Sequence, residues 1–246
     1  MQRPVAVILA AGKGTRMGSD LAKVLHRVAG APMVHYPIQA ALDAGVEDVV
    51  VVVGHQAAAV EDAVRGAFPS ARFAEQREQR GTGHAVLCAL PALVGREGPV
   101  LILSGDVPLL RASTLRRLLE AAATSSVGLA LATFEPAEVV GYGRILREGG
   151  RPVGIREERD ASAAERAIRE CNAGVYCADL GLLRETLPEL GSDNAQGEIY
   201  LTDVVAAAAA RGEVVAVRVE PEEVAGINTQ EQLVAIEGQL QRRAAQ

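Results

Sequence analysis

The chain has 246 residues, 49% of them hydrophobic and only 3% aromatic, which suits one large α/β domain with a core of Val, Leu, Ile and Ala. A net charge of −6 argues against general nucleic-acid or anionic-membrane binding, so an anionic substrate has to be met by local positive charge. There is no apolar run of membrane-spanning length and no charged-then-apolar leader. Cys88, Cys171 and Cys177 lack zinc or redox spacing and read as core thiols, so the expected location is a reducing cytoplasm.

The first predicted element is a buried strand over residues 5–9, which breaks into Gly12-Lys-Gly-Thr-Arg-Met-Gly18. Gly12, Gly14 and Gly18 allow positive φ and close approach, so successive N–H groups converge on an anion. Lys13, Arg16 and Lys23 add fixed positive charge. A plain strand-to-helix turn is the competing reading, and the glycines alone leave the two about even. The spacing fits neither the G-x-G-x-x-G dinucleotide fingerprint nor G-x-x-x-x-G-K-[ST].

Pro32 is expected to open a helix towards Ala44, with Gly45 as its stop and Pro37 kinking it or delaying its start. A second buried strand follows over 48–54 and a helix over 57–67. Strand, helix, strand, helix at this rhythm predicts a doubly wound, mostly parallel sheet. A short strand over 72–74 leads to Glu75-Gln-Arg-Glu-Gln-Arg-Gly-Thr-Gly-His84, ahead of a helix over 85–93. There, the amides of Gln76 and Gln79 offer donor and acceptor together, as a nucleobase edge requires.

The strand 99–104 ends in Ser104-Gly-Asp106-Val-Pro108, placing Asp106 in the crevice at a strand's carboxyl end. Pro108 and Ser113 are expected to start the next helix (115–123), freeing Asp106 from a capping role. After a strand over 127–133, Gly141-Tyr-Gly-Arg-Ile145, the turn at Gly149-Gly150 and Val153–Glu157 read as an antiparallel hairpin. Residues 160–169 form a charged helix or loop, 170–176 a strand, 179–187 a helix and 214–219 a last strand. Thr229-x-x-Gln232 is a capping box opening a helix to about 243, which frees the Asn228 side chain. No internal repeat is present.

The combination L-A-A-G-K-G-T-R-M followed by K-V-L-H resembles the signature of the sugar-nucleotide pyrophosphorylases. The resemblance covers essentially the whole chain, and is nearest to the first half of bifunctional members whose second half is a trimerising β-helix of hexapeptide repeats. It implies a Rossmann-like nucleotidyltransferase domain over 1–228 with a small antiparallel lid over the sugar, and a connecting helix over 229–246. No acetyltransferase half is expected in these residues, and a monomer or weak dimer follows.

The implied reaction transfers UMP from UTP to N-acetylglucosamine 1-phosphate, releasing pyrophosphate. Leu9, Ala10, Ala11, Gly12, Gly14 and Thr15 would hold the triphosphate, with Ser104 and Gly105 beside it. Gln76, Gln79, Gly81 and Thr82 would read the uracil, with His84 orienting their loop. Arg16, Lys23 and Asp106 are the implied catalytic residues, and Asp106 with Asn228 the implied ligands of one Mg²⁺. Gly143, Glu157, Asn172 and Asn228 fall at the family's sugar positions. Three departures stand out: Ala22 where proline is usual, implying a looser Lys23, and Glu158 and Ala173 beside the acceptor residues. The rival readings are transfer from CTP or dTTP, another hexose 1-phosphate as acceptor, and a non-catalytic UDP-sugar sensor.

Overall fold

The computed structural model describes residues 3–14 and 17–244, and the sheet is centred on β1 (Val5–Leu9). This strand pairs in parallel with β4 (Asp48–Val53) on one side and β6 (Pro99–Ser104) on the other. Beyond β4 lies β5 (Arg72–Glu75), again parallel. Beyond β6 the order is β10 (Cys171–Asp179), β7 (Leu129–Phe134) and β11 (Val215–Arg218). Because β10 is antiparallel to both neighbours, β7 and β11 still point the same way as β6. The hairpin of β8 (Arg144–Glu148) and β9 (Arg151–Arg156) joins this sheet through β10. The expected doubly wound, mostly parallel sheet with a small antiparallel addition is present.

Alternation along the central strands explains the layers. Ala6 and Ile8 of β1, with Val49, Val51 and Val53 of β4, face α1 (His35–Asp43), α2 (Ala57–Ala67) and α4 (Ala112–Thr124). Val5, Val7, Val50 and Val52 face α3 (Thr82–Ala89), α6 (Leu180–Thr186) and α7 (Asp203–Ala209). Each valine buried this way contributes about 1.5–3 kcal/mol, and both faces of these strands lie under helices. With β1 fixed on both sides, its carboxyl end is a rigid platform for the loop that follows.

Several boundaries differ from expectation. Pro32 does not open a helix: Arg27–Val28 (β2) and Ala31–Pro32 (β3) form a tight hairpin around Ala29 and Gly30, both at positive φ. Helix α1 starts at His35, so Pro37 sits in its first turn, where its missing N–H has no intrahelical partner to lose. Helix α3 starts at Thr82 and ends in a 3-10 turn, Leu90–Leu93, containing Pro91. Helix α4 begins at Ala112, capped by neither Pro108 nor Ser113, and Asp106 is indeed no cap. In the charged stretch, α5 (Ala163–Arg166) carries a capping box between Ser162 and Glu165.

The last helix, α8 (Gln230–Ala244), lays Leu233, Ile236 and Leu240 against Met17, Val28, Met33, Leu109 and Ile227. This third, smaller core ties the far end of the chain to the downstream side of the glycine loop. Gln230 Nε2 also donates to the Met17 carbonyl at 3.4 Å.

Candidate active site

The carboxyl ends of β1, β5 and β6 open into a cleft of about 390 Å³. Leu9, Ala10, Ala11, Gly12 and Gly14 line one wall, with Lys23, Ser104, Asp106 and Asn228 at its floor. Gln76, Gln79, Gly81 and Thr82 line the opposite wall. The predicted nucleotide residues therefore share one cavity, with two qualifications. Thr15 and Arg16 lie outside the described residues. Gly105 works through its backbone: its N–H donates to the Leu9 carbonyl at 2.9 Å, and a Cβ there would stand 3.0 Å from that oxygen.

At the floor, Lys23 Nζ donates to Asp106 Oδ2 and, at 2.8 Å, to Asn228 Oδ1. Ser104 Oγ donates to Asp106 Oδ1 at 2.7 Å, and the Ile227 N–H to the Asp106 carbonyl at 3.1 Å. A carboxylate and an amide oxygen, remote in sequence, thus converge on one cation. Gly14, at φ 65°, must lack a side chain because a Cβ would fall on Lys23 Cβ. The Thr229–Gln232 capping box forms as expected, with Gln232 N–H to Thr229 Oγ1 at 3.3 Å and Thr229 N–H to Gln232 Oε1 at 3.2 Å.

The looser lysine implied by Ala22 is not what the structure has. Ala22 is fully buried and its N–H donates to Gln56 Oε1 at 2.9 Å, a bond proline could not make. Gln56, held in the left-handed region at φ 52°, also donates to the Asp20 carbonyl at 2.7 Å. The approach to Lys23 is clamped by an amide that no sequence pattern had singled out.

On the base wall, Gln79 Nε2 donates to the Ala11 carbonyl at 2.7 Å, joining the two walls. Thr82 Oγ1 accepts from the Leu201 N–H at 3.1 Å. The loop is further stitched to residues 198–201 by Gly83 N–H to Ile199 O and Ile199 N–H to Arg80 O, both 2.8 Å. Gly81 sits at φ 102°, with the Ile199 carbonyl 2.5 Å from where a Cβ would be.

Gly143, Glu157 and Asn172 form a second group at the base of the β8–β9 hairpin. The Asn172 N–H donates to the Gly143 carbonyl at 2.8 Å, and a Cβ on Gly143 would stand 3.5 Å from Glu157 Oε2. Asn172 occupies a bulge of β10, a usual device for aiming a side chain near a site; its Nδ2 donates to the Tyr176 hydroxyl at 2.6 Å. Burial pushes the Glu157 carboxyl up, although Thr202 Oγ1 donates to it at 3.0 Å. Burial raises the Tyr142 phenol, with the Cys171 and then the Asp106 charges adding to the effect. Of the four predicted sugar residues, only Asn228 lines the main cleft; Glu157 borders a separate cavity of about 290 Å³ with Tyr200 and Asp203.

Glu158 has a structural explanation. Its Oε2 accepts from Arg144 Nη2 at 2.6 Å, and the Arg144 side chain is only 1% exposed. Ala173 packs half-buried against the main core. Sequence reading missed Glu198, Val24 and Ala85 in the cleft, and Thr202 behind Glu157. Glu198 and Thr202 fall in Asn194–Asp203, a polar stretch without glycine spacing or a charge run to single out any member. Among the described residues, no group of three His, Cys, Asp or Glu side chains could hold a metal, and no helix is long and apolar enough to cross a membrane. The three cysteines are free thiols, burial pushing Cys177 up to about 12.

A glycine loop at the end of a parallel strand, facing a lysine–carboxylate floor and an amide-lined wall, defines a nucleotidyltransferase. Residues 6–175 match the MobA-like NTP transferase domain, and the chain belongs to that family. It is 55% identical over 243 residues to the bifunctional protein GlmU of Anaeromyxobacter sp. (strain Fw109-5), covering 98% of this chain and 50% of that protein. It is 49% identical over 246 residues to the bifunctional protein GlmU of Pelobacter propionicus, covering 99% and 53% respectively. The chain thus spans about half the length of the curated relatives it matches. The crystal structure of a UDP-glucose pyrophosphorylase complexed with UDP-glucose superposes with a TM-score of 0.78 at 21% identity, covering 99% of this chain and all of the other, and so shares the fold.

Proposed function

We propose that this chain is a uridylyltransferase that moves UMP from UTP to N-acetylglucosamine 1-phosphate, forming UDP-N-acetylglucosamine and pyrophosphate. The observation that carries the reading is the convergence of Lys23, Asp106 and Asn228 at the floor of a cleft whose walls are a phosphate-type glycine loop and a pair of amides. The identity to GlmU proteins supports the choice of base and sugar.

The nucleophile, a sugar phosphate oxygen, is already an anion, so no general base is needed; in-line positioning and charge neutralisation are. The glycine loop would cradle the triphosphate, and Lys23, with Arg16, would neutralise the charge gathering on departing pyrophosphate. Asp106 and Asn228 offer a carboxylate and an amide oxygen, both held by Lys23 Nζ in this structure, and with the ammonium turned to the phosphates the same pair would fit Mg²⁺, which takes few protein ligands and keeps substrate oxygens and water. Bound there, Mg²⁺ would offset phosphate charge. Gly143, Glu157 and Asn172 then orient the acceptor sugar. Residues 1–228 would be the transferase unit and 229–246, which include α8, a connecting segment towards the half that the relatives carry in addition. A cytoplasmic monomer or weak dimer fits these residues.

The test is pyrophosphate release from UTP, CTP, dTTP and the purine triphosphates against a panel of hexose 1-phosphates. UTP with N-acetylglucosamine 1-phosphate should be the best pair. Preference for CTP or dTTP would overturn the base assignment, preference for another sugar the acceptor, and UDP-sugar binding without turnover the enzyme itself.

A further inference from the structure

His84 lies behind the base wall, where the mechanism makes no use of it. Gln76, 4% exposed, uses its side-chain amide in one direction only. Nε2 donates to the Gly81 carbonyl at 2.9 Å and lies 3.1 Å from His84 Nδ1. A carbonyl only accepts, so the nitrogen end of the amide must face Gly81, and its second proton is the one directed at His84. His84 Nδ1 is therefore an acceptor and the ring proton sits on Nε2, which faces Cys88 Sγ at 3.7 Å. Burial raises the Cys88 pKa, so that sulfur is a neutral thiol. Among the described residues no donor reaches Gln76 Oε1, the atom left over in a side chain that lines the cleft.

We propose that His84 is a specificity-determining positioning residue: with Gly81 it consumes both amide protons of Gln76, so that Oε1 alone is presented to the base. The inference rests on the uridylyl reading and deepens it. An oxygen acceptor at that point pairs with the N3–H of uracil. It opposes the N3 lone pair of cytosine, leaving two buried acceptors face to face. The choice of pyrimidine is thus made one residue behind the contact. His84 touches no substrate and acts through the amide it orients.

The test compares kcat/KM for UTP, CTP and 5-methyl-UTP in wild type, His84→Phe and His84→Asn. Phenylalanine keeps the ring but accepts nothing, whereas the asparagine oxygen stands close to the Nδ1 position. The preference for UTP over CTP should fall about tenfold or more in His84→Phe, with Gly81 still holding one proton, and return largely in His84→Asn. The ratio of UTP to 5-methyl-UTP should not move, since both carry N3–H; damage to the fold alone would lower all three rates together. An unchanged UTP-to-CTP ratio in folded His84→Phe overturns the proposal. Should that variant not fold, ¹⁵N NMR of the wild-type imidazole decides: an unprotonated Nδ1 supports it, a protonated Nδ1 overturns it. A wild type that prefers CTP would instead remove the uridylyl reading, a result visible before any variant is made.

Discussion

Replacing Gly81 with alanine should damage this protein more than its single added methyl suggests. The residue sits at φ 102°, ψ 175°, a region occupied almost only by glycine, which costs a non-glycine residue about 1–3 kcal/mol. The new Cβ would also lie 2.5 Å from the Ile199 carbonyl and 2.9 Å from Glu198 Cβ. Residues 198–199 cannot retreat without stretching the two 2.8 Å bonds that join them to Arg80 and Gly83, each worth about 1 kcal/mol net. The total is about 3–5 kcal/mol. In a domain of this size that lowers Tm by roughly 6–20 °C if it falls on the whole fold. If the loop shifts locally instead, the same energy appears as a rise in the KM for UTP of about a hundredfold or more. Thermal unfolding and steady-state kinetics on one preparation separate the two outcomes. Gly66→Ala is the control: exposed within α2, with nothing within 4 Å of its added carbon, it should stabilise by about 0.5–1 kcal/mol. A Gly81→Ala protein with Tm within about 2 °C of wild type and an unchanged KM for UTP would refute the reasoning.

Lys23→Met should lower turnover by about 10²–10³ while changing affinity for UDP-N-acetylglucosamine far less, because the ammonium serves the leaving pyrophosphate; equal losses would contradict that role. Glu158→Gln should destabilise by about 2–3 kcal/mol, the usual penalty for breaking a buried pair reduced by the partial exposure of Glu158. Adding Arg144→Met should recover part of that loss in a double-mutant cycle, and strict additivity would show the pair does not interact. Burial raises the folded-state pKa of Glu157 above the ordinary carboxylate value of 4.5, so the native state holds its proton more tightly and the side chain costs stability as pH rises above that value. Glu157→Gln should therefore be more stable than wild type near pH 7 by urea titration, the gap closing below pH 4.5; a gap that widens on acidification would reverse the sign.

Much of the fold could be read from the chain because its signals are local. Runs such as Val49–Val53 point to a strand buried on both faces, and the glycines after β1 announce a tight turn. The floor residues Lys23, Asp106 and Asn228 could each be picked out by local position, and only the motif resemblance joined them, since no periodicity links positions so far apart. What escaped was long-range or directional. The sequence reports a strand over 170–176, three residues short of the observed end at Asp179, and is silent on its running against both neighbours. The clamp of Gln56 on Ala22 depends on a left-handed backbone at a glutamine, a conformation its sequence gives no reason to expect. Pro32 misled because a proline preceded by a positive-φ pair closes a hairpin as readily as it opens a helix. Glu158 looked like a mismatch in the acceptor pocket until its partner, the buried Arg144, was in view.

The small core under α8 has a consequence for how the chain comes to be made. Met17, at the downstream end of the glycine loop, shares its small cluster with Val28, Met33 and Leu109 and with the late residues Ile227 and Ile236, and Asp106 accepts from the Ile227 N–H. Translation proceeds from the amino end, so β1, β4 and β6 can pair while these last partners are still inside the ribosome. Through that interval the floor lacks Asn228 and the loop lacks part of its apolar backing. The central sheet is thus an early structure and the active site a late one, closed only when α8 docks. A nascent chain arrested before α8 emerges should be folded enough to resist aggregation yet unable to hold nucleotide, which separates the onset of folding from the onset of binding.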